Sequence, residues 1–228
     1  MRFSLPGVLV SVGAAAAPVM GLLVAPPDAV QGEVQRLMYV HVPAAWTAYL
    51  CFTAVLAAGL LRLVRRRPAL DRLGRAAAEV GAGLTALAIV LGMLWGRPVW
   101  GVWWTWDPRL TTTVLMLGAY LVYLAVARLA GGRAAAWAGC AGFLTVPLVH
   151  GSVLWWRALH QPPTVLSPEG RWPIAPPMLA ALLVSTAAFA ALAAWVIARR
   201  ARSLAAERPG SPVPAPRIGP EVPAGAAR

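Results

Sequence analysis

With 228 residues, 59% of them hydrophobic and only 12% charged, and a mean hydropathy of +0.66, the chain is too apolar for a soluble globular domain, where about a quarter of residues are charged. Its formal net charge of +12 does not point to nucleic acid, because the basic residues flank apolar runs or lie in the tail. All twenty basic residues are arginine, so there is no lysine-bearing Walker loop for phosphates, and any ATP that serves this protein is hydrolysed by another subunit.

The first apolar run covers 5–25 and continues past the length of a usual signal-peptide core, which predicts an uncleaved first helix. A short polar connection over 26–37 leads to a second run, 42–64, closed by Arg62, Arg65, Arg66 and Arg67. With Arg72 and Arg75 these form a densely basic loop before the third run, 77–94. The fourth run is 110–129, followed by the turn Gly131–Gly132–Arg133; the fifth is 134–154 and the sixth 174–198. A bilayer core of about 30 Å needs about 20 apolar residues per helix. The expected fold is therefore all-α, a polytopic membrane protein of six transmembrane helices over 1–202, its outer faces against membrane lipid. The proline- and alanine-rich stretch 203–228 has no periodicity and is expected to be a disordered tail.

Six spans put both termini on one side. That side carries Arg2, the six arginines of the second loop, Arg128, Arg133, Arg199, Arg200 and Arg202; the other carries Arg36, Arg97, Arg109, Arg157 and Arg171. The positive-inside bias makes both ends cytoplasmic and the other connections external.

Those external connections hold the unusual residues. Five of the eleven tryptophans, Trp95, Trp100, Trp103, Trp104 and Trp106, fall in the segment 95–111, WGRPVWGVWWTWDPRLT. One or two indoles per helix end make an interfacial belt; this density predicts a platform for a large flat apolar ligand. Trp155 and Trp156 add an apolar stripe with Leu159, whose simplest form is an interfacial helix presenting His160. Asp107 before Pro108 is an N-cap followed by a first-turn proline.

Three histidines complete the set. His41 opens the second helix, His160 lies in the last external connection and His150 near the outer end of the fifth helix. The ordinary role of His41 and His160 is to cap a helix or bind interfacial water; beside a tryptophan platform the stronger reading is iron ligation, since two imidazoles on opposite sides of a planar macrocycle make a six-coordinate haem. Arg97 and Arg109, in or beside the aromatic surface, are either interfacial anchors or partners for the two haem propionates, since a guanidinium pairs with a carboxylate through two hydrogen bonds. His150 is read first as a helix-packing residue. Cys51 and Cys140 lie within apolar runs, and with no C-x-x-C-H motif in the chain any haem is not attached through its own cysteines.

The stretch Trp100 to Thr111, WGVWWTWDPRLT, resembles the "WWD" signature of haem-handling membrane proteins, and MYVHVPAAW and SVLWWRALHQ resemble the flanking histidine segments of the CcmC family. The resemblance runs in order from Met38 to Gln161. It implies His41 and His160 as axial ligands of a non-covalent haem b. It also implies a haem-holding surface from Trp95, Trp100, Trp103, Trp104, Trp106, Asp107, Arg109, Trp155 and Trp156, facing the periplasm from a bacterial inner membrane. The implied partners are haem itself, the haem chaperone CcmE, the ABC subunits CcmA and CcmB, and the small subunit CcmD. The expected role is haem transport and transfer in cytochrome c biogenesis, as a permease-like subunit of an ABC transporter complex with no catalytic residues, not an enzyme. The alternative is a small cytochrome c synthase that attaches haem directly to an apocytochrome.

Overall fold

The computed structural model describes residues 5–161 and 174–207. Within them the chain is helical, without a β-strand. Helix α1, Leu5–Val19, runs into a π-helical turn, Met20–Val24. After a 3-10 turn at Glu33–Leu37 come α2 (Met38–Arg65), α3 (Pro68–Trp100) and α4 (Pro108–Leu129). The last elements are α5 (Gly132–Phe143), α6 (Thr145–Trp155) and α7 (Pro176–Ala206). Five units are long and apolar enough to cross a membrane: α2 with its 3-10 turn, α3, α4, the α5–α6 pair, and α7; α1 with its π turn adds a shorter apolar segment. The molecule is an all-α polytopic membrane protein.

Lipid is as apolar as leucine, so helices in a bilayer associate through close packing. Small side chains supply it here: Ala44 and Ala48 on α2 and Ala76, Ala77 and Ala78 on α3 are all buried. A Cβ at Gly81 on α3 would lie 2.5 Å from the ring of Phe52, so only glycine permits that approach. Phe52 in turn stacks on Tyr120 of α4, ring centroids 3.5 Å apart and nearly parallel. At one end of the bundle, Asp71 accepts two 2.8 Å hydrogen bonds from the Arg62 Nε–H, and Arg200 of α7 pairs with Glu79 of α3 at 2.6 Å.

The apolar runs fall on the helices, with four differences. The basic loop 62–75 is a helical hairpin: α2 extends to Arg65, Arg66 adopts a left-handed conformation (φ 45°), and α3 restarts at Pro68, a favoured first-turn position. The fifth run bends at Leu144, between α5 and α6. Pro147 lacks an N–H and crowds the carbonyl four residues back, that of Phe143. The third helix does not stop at 94; it continues through Pro98 to Trp100 and ends at Gly101, whose φ of +79° suits glycine. At the far end α7 reaches Ala206, past the expected start of the tail; the expectation for the rest of the tail falls outside the described residues.

Candidate functional site

The connections after α3 and α6 meet at the same end of the bundle as the start of α2. Together they cap a cavity of about 370 Å³, within the usual range for small-molecule and cofactor sites, about 300–1,000 Å³. His41, His150 and His160 all line it, with Trp95, Trp100 and Arg109.

His41 sits in the first turn of α2, facing α3. Its Nδ1 lies 2.9 Å from the carbonyl oxygen of Ala88. A carbonyl only accepts, so Nδ1 carries the proton and the Nε2 lone pair is left for a metal. The ring fits because residue 92 is glycine: a Cβ there would be 3.1 Å from His41 Cε1. Trp95, one turn further along α3, meets the His41 ring edge-on at 5.7 Å. The Trp95 indole N–H donates to Gln31 Oε1 at 2.8 Å, so the polar connection before α2 holds the indole in place.

His160 reaches the same cavity differently. α6 ends at Trp155, and Trp156 is extended (φ −133°, ψ 155°). The expected interfacial helix is therefore not formed, and Trp155, Trp156 and Leu159 share no helical face. Asp107 holds this segment in position instead. Its Oδ1 accepts from Leu110 N–H at 2.8 Å, the expected cap of α4, while Oδ2 accepts from Leu159 N–H at 3.0 Å. The same Oδ2 lies 3.6 Å from His160 Nδ1, an electrostatic contact too long for a hydrogen bond. Trp100, at the end of α3, packs its ring against that of His160 at 4.9 Å. Burial holds the His160 imidazole below the usual histidine range, opposed by the Asp107 carboxylate and reinforced by the Arg109 charge. The neutral, metal-binding form is favoured.

The aromatic segment is divided. Trp95 and Trp100 line the cavity, Trp104 packs edge-on against Trp106 at 5.3 Å, and Trp103 and Trp106 are exposed, as are Trp155 and Trp156. The last two meet edge-on at 5.9 Å. The two arginines are likewise separated. Arg97 turns back to donate to Gly101 O at 2.9 Å on the exposed surface, whereas Arg109 lines the cavity with Nε buried and without a hydrogen-bond partner. Sequence reasoning missed Gln31, Tyr49, Ala88 and Gly92. Ala88 acts through its carbonyl and Gly92 through a missing side chain, and neither leaves a sequence signal. Gln31 and Tyr49 are ordinary residues in a polar connection and an apolar run.

The profile of the family described as CcmC, heme exporter protein C, matches residues 4–211. Heme exporter protein C of Bradyrhizobium diazoefficiens is 38% identical over 194 residues, 79% of this chain and 73% of that protein. The Escherichia coli protein of the same name is 35% identical over 191 residues, 82% of this chain and 76% of its own. A putative cytochrome c biosynthesis ccmC-like mitochondrial protein of Marchantia polymorpha is 37% identical over 146 residues, 64% of each chain.

Proposed function

The chain belongs to the heme exporter protein C family, and on that premise we propose that it holds haem b non-covalently in the outer cavity and passes it to a partner during cytochrome c maturation. His41 and His160 would hold the iron, and Trp95 and Trp100 would pack against the macrocycle. The observation that carries this reading is the convergence of two distant histidines on one cavity, His41 with Nε2 left open by its bond to Ala88. The exposed Trp103, Trp106, Trp155 and Trp156 form the rim through which the haem chaperone CcmE takes the cargo. CcmA, CcmB and CcmD complete the complex, CcmA hydrolysing the ATP. The rim faces the periplasm from the bacterial inner membrane and both termini are cytoplasmic.

The test is the visible spectrum of the purified protein: a six-coordinate, bis-histidine haem that acid–acetone extracts completely. His41→Gly or His160→Gly should lose most of the haem, with partial recovery in added imidazole. A spectrum unaltered by either substitution refutes the ligand assignment. Orientation is tested by single cysteines in a background lacking Cys51 and Cys140. Val102→Cys should react with an impermeant thiol reagent in intact spheroplasts and Asp71→Cys only after lysis.

A further inference from the structure

The cavity does not end at the two rim histidines. Tyr49 lies eight residues after His41 on α2, about 12 Å deeper at the helical rise, and it lines the same space. His150, on α6, packs edge-on against Tyr49 with ring centroids 6.5 Å apart. Arg109, in the first turn of α4, lines the same cavity. Arg109 is half-buried with its Nε inside, and a guanidinium drawn partly out of water normally has a counter-charge, because an unpaired ion there is costly. Here Nε has no hydrogen-bond partner, and among the described residues no aspartate or glutamate lines the cavity. The nearby Asp107 carboxylate is committed to the Leu110 and Leu159 N–H groups, so a guanidinium, a phenol and an imidazole line the cavity with no carboxylate among its lining residues.

We propose that Arg109, Tyr49 and His150 form a carboxylate subsite on the inner wall of the cavity, and that it takes a propionate of the bound haem. This rests on the haem-holding reading above and adds an orientation to it. The propionate edge points inward, so the opposite edge, which carries the vinyl groups, faces the tryptophan rim. His150 thereby has a role in binding without being an iron ligand, and Arg109 differs in function from Arg97.

The experiment compares haem with its dimethyl ester, which keeps the iron and ring but has no carboxylates, on the purified full-length protein in detergent. Each charge-assisted hydrogen bond lost is equivalent to about a tenfold weaker affinity. The wild type should therefore hold haem at least about tenfold more tightly than the ester. Tyr49→Phe and His150→Gln should each narrow that preference and Arg109→Gln should abolish it. Because the readout is a ratio within one preparation, a poorly folding variant does not mimic the effect. The His150→Gln protein should keep the six-coordinate spectrum. Equal binding of haem and ester by the wild type, or an undiminished preference in the variants, overturns the subsite alone. Loss of the six-coordinate spectrum in His150→Gln makes His150 an iron ligand and overturns its assignment. Failure to bind either porphyrin overturns the haem-holding reading and the subsite with it.

Discussion

The two rim histidines reach one cavity by opposite kinds of support. His41 belongs to a 28-residue helix, its ring held by a main-chain carbonyl of the neighbouring helix and fitted over a glycine. His160 lies on irregular chain beyond the end of α6, and Asp107 tethers that chain through Leu159. Moving His41 means moving a packed helix. Displacing His160 means breaking one hydrogen bond, a net contribution of about 1 kcal/mol, and its ring contact with Trp100. A protein that must both hold a ligand and give it up benefits from one fixed support and one that releases.

Four experiments break or sharpen this contrast. The largest effect is expected at Gly92, where a leucine would push into the His41 ring. Overpacking of this kind costs about 1–3 kcal/mol, enough to lower haem retention about fivefold to a hundredfold. Gly83→Ala, where an added Cβ meets nothing within 4 Å, serves as the control. If Gly92→Leu keeps its haem with an unaltered spectrum, the helix is not what holds His41. Next comes Asp107→Ala. A lost cap costs about 0.5–2 kcal/mol, which the bundle should survive. The protein should remain in the membrane with part of its haem, but haem found covalently on CcmE should fall further than haem on the mutant. Equal losses would mean that the tether serves binding alone.

A smaller effect concerns pH. Because burial lowers the His160 pKa, its neutral form persists below the usual histidine range. Protonation competes with iron only as pH falls through that lowered value, so haem retention should hold through mildly acid pH and fail below it. The Asp107 carboxylate raises the His160 pKa; in Asp107→Asn the acid loss, followed spectroscopically, should therefore move to still lower pH. A shift to higher pH contradicts the electrostatic part of the tether. The smallest change is Gln31→Leu, which leaves the Trp95 N–H without its acceptor at a cost of about 1 kcal/mol. It should alter the line shape of the haem band, or retention by a fewfold, without touching either ligand; a loss as large as that at Gly92 would place Gln31 among the main supports.

The spans were legible because each is a long apolar run, and the cap at Asp107 because Asp-Pro before such a run has one simple meaning. The bend at Leu144 was written in Pro147, but an unbroken apolar run hid it. The His160 segment misled for a physical reason. Trp155, Trp156 and Leu159 have helical spacing, yet their backbone is committed elsewhere, with Leu159 N–H given to a carboxylate 52 residues earlier in the chain. No local pattern encodes a hydrogen bond of that range. The same holds for His41 and Ala88, 47 residues apart, and for Arg97 and Arg109, which look alike in sequence and separate only when α3 and α4 set their directions.

The tryptophans have one more consequence. Indole emission overlaps porphyrin absorption, and Trp95 and Trp100 line the cavity itself. Haem held there should quench this emission, and its release should restore it. The chain carries its own optical gauge, so departure of the cargo can be timed in a stopped-flow cell on unlabelled protein.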